Sequence, residues 1–378
     1  MLLSLTLVLV LALAGILLAF QVPAPALPPT NVHLTSDAAL SSSTAVAVGY
    51  QVNPYGWDTA AAELYAHGKW KFGLAASNSS DHGTALDGVT ALSGGRAWAV
   101  GYRTSTGGLA RTLTELWDGH SWSVWPSTNP AARGDTLQSV LVVPDGAVYA
   151  AGFSLGSAGY SEPLVERFSG SRWVQVASPS LPPGARGGQI LSLTSYGGHV
   201  FAAGYMLDRN GNQSPLAYQL SGRLQGGHPL SWRSLSVPVK PGGKGEVLTS
   251  ARGVGDALWV AGYVEPVGGH DSGFVGKLTA GQWSTWVVSY KGAYTHLNTI
   301  GVFAQVPVAA GYAVGAAGFP VRVEFLLPEG EHKWMAERVG TGYGQVAWME
   351  QVGTLVWGCG FAQYNTGPDT AWTGVIRF

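Results

Sequence analysis

A short apolar run ending in glycine and an aromatic residue recurs seven times along this chain, and no other feature restricts its fold as strongly. The copies are Ala45-Val-Ala-Val-Gly-Tyr50, Trp98-Ala-Val-Gly-Tyr102, Tyr149-Ala-Ala-Gly-Phe153, Phe201-Ala-Ala-Gly-Tyr205, Trp259-Val-Ala-Gly-Tyr263, Val308-Ala-Ala-Gly-Tyr312 and Trp357-Gly-Cys-Gly-Phe361. Their glycines stand 52, 51, 52, 58, 49 and 49 residues apart. A second series keeps step: Trp70, Trp122, Trp173, Trp232, Trp283 and Trp334 are spaced 52, 51, 59, 51 and 51. Both series stretch at the same place, so one insertion accounts for both. A third marker lies between them, in Ala62-Glu-Leu-Tyr65, Thr114-Glu-Leu-Trp117, Val165-Glu-Arg-Phe168 and Val323-Glu-Phe-Leu326.

Each unit reads as four short strands separated by Gly, Pro, Asn and Ser. In the second copy these fall near 89–92, 97–102, 112–118 and 121–127. After residue 30 no segment keeps a helical apolar period. Four strands in about fifty residues describe a propeller blade, which cannot bury both faces alone and stacks in a ring. The sequence therefore predicts an all-β, seven-bladed β-propeller of four-stranded blades over 31–378. The last copy stops where a third strand ends. The segment 31–35, with Val32 and Leu34 in alternation, is expected to supply the missing fourth strand and close the ring.

Composition bounds the function. The chain has 21 Lys+Arg against 22 Asp+Glu, a net charge of −1, which leaves no basic surface for nucleic acid. One Cys excludes an intrachain disulfide framework and a cysteine-cluster metal site. Residues 1–20 carry no charge and only Ser4, Thr6 and Gly15 as interruptions, enough helix for roughly 30 Å of bilayer. Val22-Pro-Ala-Pro-Ala-Leu-Pro-Pro29 cannot continue a helix and reads as a stiff spacer. No basic residue precedes Lys69, and the run is longer than a signal-peptide core, so the expectation is a hydrophobic signal-anchor or transmembrane helix over 1–21 with a linker over 22–30. Ala24-Pro-Ala26 offers a cleavage site, with secretion as the alternative outcome. Either way the ring is expected outside the cytoplasm.

The repeat resembles the kelch motif over residues 37–378. The resemblance rests on the small-residue turn after the second strand, a third strand of the type Val165-Glu-Arg-Phe168, and the Trp opening the fourth. It departs in having Gly-Tyr or Gly-Phe where kelch units have Gly-Gly. It implies a propeller and no single activity.

Residues repeated in every unit serve packing, because a catalytic group is needed once. The six spaced Trp are therefore inter-blade wedges, and Glu63, Glu115, Glu166 and Glu324 are structural. The variable loops after each Gly-aromatic share one rim with the linkers between blades. There Trp57, Asp58, Arg103, Tyr160, Asp208, Arg209, Asn210, His270, Asp271, Tyr364 and Asp369 are the candidate ligand-binding residues, rings for stacking and polar groups for orientation. The same residue types are also turn formers. Asp208-Arg-Asn-Gly-Asn212 has alternate oxygen donors, but Gln213 and Gln219 stand where a calcium loop needs Gly and Glu. Ser79-Ser-Asp-His-Gly-Thr84 partly resembles the Asp-box of sialidase-type propellers. Cys359 lies between two glycines, and kelch-like copper radical oxidases join a Cys to a Tyr and bind copper through His and Tyr. His82, His120, His270 and His296 show no ligand spacing, so Cys359 is expected to be a buried apolar residue.

No nucleophile elbow, zinc-protease motif or phosphate loop occurs. No catalytic residue, metal or cofactor is assigned. The sequence thus points to a membrane-tethered recognition module for a glycan, peptide or protein. The alternatives are a carbohydrate-active enzyme (glycosidase, lyase or oxidase) on Asp58, Asp208, Asp271 and Asp369, and a structural or assembly component of the cell envelope.

Overall fold

The computed structural model describes residues 31–76, 82–221, 231–239, 245–265, 269–304, 306–327, 333–352, 355–363 and 369–376. The expected apolar helix and proline-rich linker, in 1–30, lie outside the described residues. Every described element is a strand, and the strands form seven antiparallel sheets taken in sequence order. Blade 1 comprises Val32–Ala39, Ala45–Val52, Asp58–Ala66 and Lys69–Leu74. Blades 2 to 6 occupy 84–124, 135–175, 187–234, 245–288 and 294–338. Blade 7 has three described strands, Tyr343–Val352, Leu355–Gln363 and Thr370–Ile376. The first strands of successive blades touch all the way round, including Val32–Ala39 against Tyr343–Val352, so they are innermost and the ring is closed. No helix long and apolar enough to cross a membrane occurs among the described residues.

The expected closure by 31–35 is corrected. Val32–Ala39 is the inner strand of blade 1, paired with Ala45–Val52, and does not complete blade 7. Val32 and Leu34 alternate because they fill the seam between blades 7 and 1 with Ala47 and Cys359. The insertion falls between the third and fourth strands of blade 4, after Ser221.

The repeat glycine has a backbone cause. Each inner strand carries a β-bulge, at Thr35, Asp87, Gln138, Leu191, Thr249, Asn298 and Ala347. The bulge drives the carbonyl two residues earlier, such as His33 O or Ala85 O, into the space a Cβ would need at Gly49 or Gly101.

The tryptophans wedge the seams as expected. The outer-strand Trp of a blade meets the residue three before the repeat glycine of the preceding blade. Trp70 meets Trp357 at 5.9 Å between centroids, Trp173 meets Trp98 at 5.2 Å and Trp334 meets Trp259 at 6.4 Å. Trp122, Trp232 and Trp283 pack on the clusters holding Val46, Tyr149 and Phe201. Polar joints repeat beside them: Val89, Leu193, Ala251 and Ile300 N–H donate to Ser36, Ser139, Ser192 and Ser250 of the preceding blade.

Two of the buried glutamates hold linkers. Glu115 accepts from Ala76 N–H at 2.8 Å, and Glu166 accepts from the Ser127 and Thr128 hydroxyls at 2.6 and 2.9 Å. In blade 4 Tyr218 stands at the same register and donates to Ser180 O at 2.7 Å. Glu324 Oε2 has no partner among the described residues. Burial pushes the Glu63, Glu115, Glu166 and Glu324 carboxyls up to about 7.

Candidate functional site

A common strand order places the second-to-third-strand loops and the inter-blade linkers on one face, and the tight hairpins on the other. On the loop face the aromatic of each repeat stands opposite an inner-strand residue. The pairs are Tyr50 with His33, Tyr102 with Ala85, Phe153 with Thr136, Tyr205 with Gln189, Tyr263 with Val247, Tyr312 with His296 and Phe361 with Gln345. All seven aromatics are half-buried, so they encircle the axis at one level with part of each ring open.

Two seams elaborate this ring in the same way. Between blades 7 and 1, His33 lies parallel to Tyr50 at 5.1 Å and against Phe361 at 4.6 Å, while its Nε2 is 3.1 Å from Asp369 Oδ2. Between blades 5 and 6, His296 stacks on Tyr263 at 3.9 Å and leans on Tyr312 at 5.2 Å. Its Nε2 is 2.6 Å from Asp271 Oδ2, and its Nδ1 is 3.1 Å from the Tyr312 hydroxyl. Both histidines sit at one inner-strand register. Both aspartates stand nine residues after the glycine of the preceding blade, at the head of its third strand. The site is thus a three-ring stack with a carboxylate at its edge, built twice.

Ionisation follows from this packing. Burial holds the His33 ring below the usual histidine range despite the charges of Asp369 and Asp58, so at neutral pH its Nε2–H donates to Asp369 as a neutral imidazole. Burial also raises Tyr50, Tyr102, Tyr263 and Tyr312, with Asp58 adding to the first two and Asp271 to the others, which keeps the phenols protonated as donors. Where the histidine position is Ala85, Tyr102 reaches across to Asp58 Oδ2 at 2.9 Å. Asp87, at the bulge of the same blade, is pushed up to about 7 by burial and by Asp58.

The sequence candidates divide. Asp58, Asp271 and Asp369 belong to this ring. Trp57 is half exposed, edge-on to His82 at 5.6 Å, and His270 leans on Tyr294 at 4.2 Å. Tyr160 lies under the Arg186 guanidinium at 5.1 Å, and Arg103 is half-buried between Thr84 and Arg111. Asp208 caps its own turn, accepting from the N–H groups of Asn210 and Asn212, while Arg209 and Asn210 point to solvent, so these three form a turn. Tyr364 lies outside the described residues. Cys359 is fully buried, as expected. No cluster of three metal-ligating side chains occurs among the described residues.

Sequence reading missed His33, His296 and the repeat tyrosines. In the sequence the tyrosines stand as repeat markers, although packing alone does not call for a hydroxyl at five of seven blades. That was the available signal.

Two of the cavities lie outside the ring of aromatics. One of about 730 Å³ separates the outer strands of blades 5 and 6 beside Trp286, Lys333 and Trp334. The other, about 820 Å³, opens on the axis at the hairpin face beside Asp37, Trp348 and the Arg252–Glu350 ion pair of 3.0 Å. Asp37 is buried with neither side-chain oxygen bonded among the described residues, and burial lifts its carboxyl well above the carboxylate range.

Fold and rim define a seven-bladed β-propeller. No protein-family model and no curated protein matches the sequence, so the likeness to kelch repeats stands at the level of blade architecture. A solved protein of unknown function from Dyadobacter fermentans is similar over 92% of this chain and 95% of its own, at 11% identity and a TM-score of 0.54. A Hadza microbial sialidase is 10% identical over 75% of this chain, with a TM-score of 0.49, and the chain spans 63% of its length. At such identity the likeness is one of fold alone.

Proposed function

We propose that this protein is a recognition module, an extracytoplasmic propeller held at the membrane by residues 1–21, that binds a neutral or amino-sugar glycan on its aromatic rim. The observation that carries this reading is the duplicated stack, Phe361–His33–Tyr50 and Tyr263–His296–Tyr312, each edged by an aspartate. Half-open rings offer faces to the apolar side of a sugar, and fixed carboxylates and phenols accept and donate to its hydroxyls. Asp58, Asp87 and Asp369 act together on Tyr50, an acidic surround that disfavours anionic sugars. The uncharged leader, with no Lys or Arg before Lys69, supports the location.

A glycan array probed with the full chain in detergent tests this. Binding of neutral or amino-sugar glycans, weakened at least about tenfold by Tyr263→Ala, is expected. Retention of peptides only, or of sialylated glycans preferentially, contradicts it.

One observation favours the enzyme reading. Asp271 orients His296, whose Nδ1 accepts from the Tyr312 hydroxyl, an orienter, base and hydroxyl in series. Mass spectrometry of array hits incubated with protein separates the readings. Recovery of intact glycan supports binding, and cleavage abolished by His296→Ala supports catalysis.

A further inference from the structure

We infer that the axial cavity on the hairpin face binds a primary amine, its ammonium on the Asp37 and Glu350 carboxylates and its alkyl chain against the inner strands of blades 2 and 3. The cavity measures about 820 Å³ and draws its walls from blades 1 to 5 and blade 7. One wall is apolar, with Leu92, Leu141 and Val142 half-buried along it. The opposite wall carries Asp37, Arg252, Trp348 and Glu350. This site shares no residue with the aromatic rim, so the inference does not rest on the recognition reading.

The seam between blades 7 and 1 departs from the repeat on both of its sides at this cavity. In four other seams a serine accepts the N–H of an apolar residue on the next blade, as Ser36 does from Val89 and Ser192 from Ala251. That serine stands opposite the residue just before the repeat glycine, Val48 for Ser36. In blade 7 the same place, opposite Cys359, holds Trp348, and the residue facing it round the ring is Asp37, opposite Ala47. Asp37 is 1% exposed with neither carboxyl oxygen bonded among the described residues, and the buried Trp348 indole N–H likewise has no partner among them. A group that every blade carries serves the ring. A buried carboxyl carried by one blade of seven costs stability and serves something other than packing.

The charges around Asp37 select the ligand. Arg252 and Glu350 occupy one register of blades 5 and 7, opposite Trp259 and Trp357, with Gly301 of blade 6 between them. Arg252 Nη2 donates to both Glu350 oxygens at 3.0 Å, so the guanidinium is already met. Glu350 acts on Asp37 more strongly than Arg252 does, which leaves the wall attractive to a cation. Cys359 of blade 7 is also within the field of Asp37, and the exposed Arg96 of blade 2 lines the cavity. No three metal-ligating side chains gather among the described residues, which favours an organic cation. A primary ammonium brings three N–H donors on a compact charge, enough for both Asp37 oxygens and one of Glu350, whereas a hydroxyl brings one donor and no charge. Burial favours the protonated Asp37 carboxyl in the free protein. An arriving ammonium favours the carboxylate, so the Asp37 proton leaves to solvent as the amine binds.

Calorimetric titration of the full chain in detergent with n-butylamine at pH 6, in phosphate and again in MES, tests this. Saturable binding is expected, and the difference in heat between the two buffers should report release of up to about one proton per amine. Asp37→Asn keeps the side chain's size and removes its ionisation. It should weaken n-butylamine at least about tenfold and abolish the proton release, and n-butanol should not bind the unaltered protein measurably. Equal affinity in Asp37→Asn, binding of n-butanol as tight as that of the amine, or no saturation by n-butylamine each overturns the inference. The last two are read on the unaltered protein and stand even if Asp37→Asn fails to fold. Tyr263→Ala should bind n-butylamine as the unaltered protein does. Loss of the amine in that variant would move it to the rim and also overturn the inference, whereas failure of glycan binding alone leaves the axial site standing.

Discussion

The seams between blades and the rim above them are built from the same repeat, yet they treat it in opposite ways. In the seams, equivalent positions keep one job: Trp173 and Trp334 wedge against the preceding blade, and Ser36, Ser139, Ser192 and Ser250 each accept a backbone N–H from the next. On the rim, the position opposite the repeat aromatic is His33 or His296 in two blades and Ala85, Thr136, Gln189, Val247 or Gln345 in the others. Uniformity marks what every blade needs to stand. Variation on a fixed aromatic frame marks where the ring is specialised.

Breaking a seam should damage stability and spare the rim. Trp173 is fully buried, so Trp173→Ala should cost about 3–5 kcal/mol in denaturant unfolding, with ligand affinity of the folded fraction unchanged. Breaking the rim should do the reverse. Tyr263→Ala should weaken binding by about 1.4 kcal/mol or more, a factor of ten, in calorimetry, while the melting midpoint moves little. A large loss of stability in that variant would collapse the distinction between the two regions.

Asp37 sharpens the comparison, being a seam residue that breaks the seam's rule. The other six blades have Val89, Val140, Leu193, Ala251, Ile300 or Met349 at its register. An unpaired buried carboxyl costs stability, so Asp37→Leu should stabilise the protein by about 1–3 kcal/mol. Destabilisation would show a partner for Asp37.

The smallest effect is on pH. Glu63, Glu115, Glu166, Glu324 and Asp87 have folded-state values of about 7, above their ordinary 4.5 or 3.8. Folded protein therefore holds these protons more tightly than unfolded protein. Their contribution is fully present below the ordinary values and declines as pH rises towards 7. His33 acts oppositely, because its burial makes protonation below 6.5 costly. With five acids against one histidine, the melting midpoint should be higher at pH 5 than at pH 8, and Glu166→Gln should flatten the difference. A midpoint that falls on acidification to pH 5 would contradict the burial of these acids.

The blades were legible because their markers recur at a fixed interval and packing must be satisfied seven times over. Trp70, Trp122 and Glu166 could be assigned to structure on that ground alone. The closure was misread because Val32 and Leu34 alternate equally well as an inner or an outer strand, and only pairing with Ala45–Val52 decides. The rim was half legible. Asp58, Asp271 and Asp369 were found as loop carboxylates, but their partners Tyr102, His296 and His33 lie on the next blade, and His33 meets Asp369 only when the ring shuts. Asp208 was indistinguishable from them in sequence, because a turn-capping carboxylate and one bonded to a rim histidine or tyrosine occupy the same kind of loop.

The central claim is that recognition happens on the aromatic face. Covalent footprinting of the full chain, with and without a glycan retained on the array, tests it most directly. The account predicts protection at Tyr50, Tyr263, His296 and Tyr312 with Arg96, Trp348 and Glu350 unchanged. Protection of the axial cavity on the hairpin face, with the rim left reactive, would contradict it.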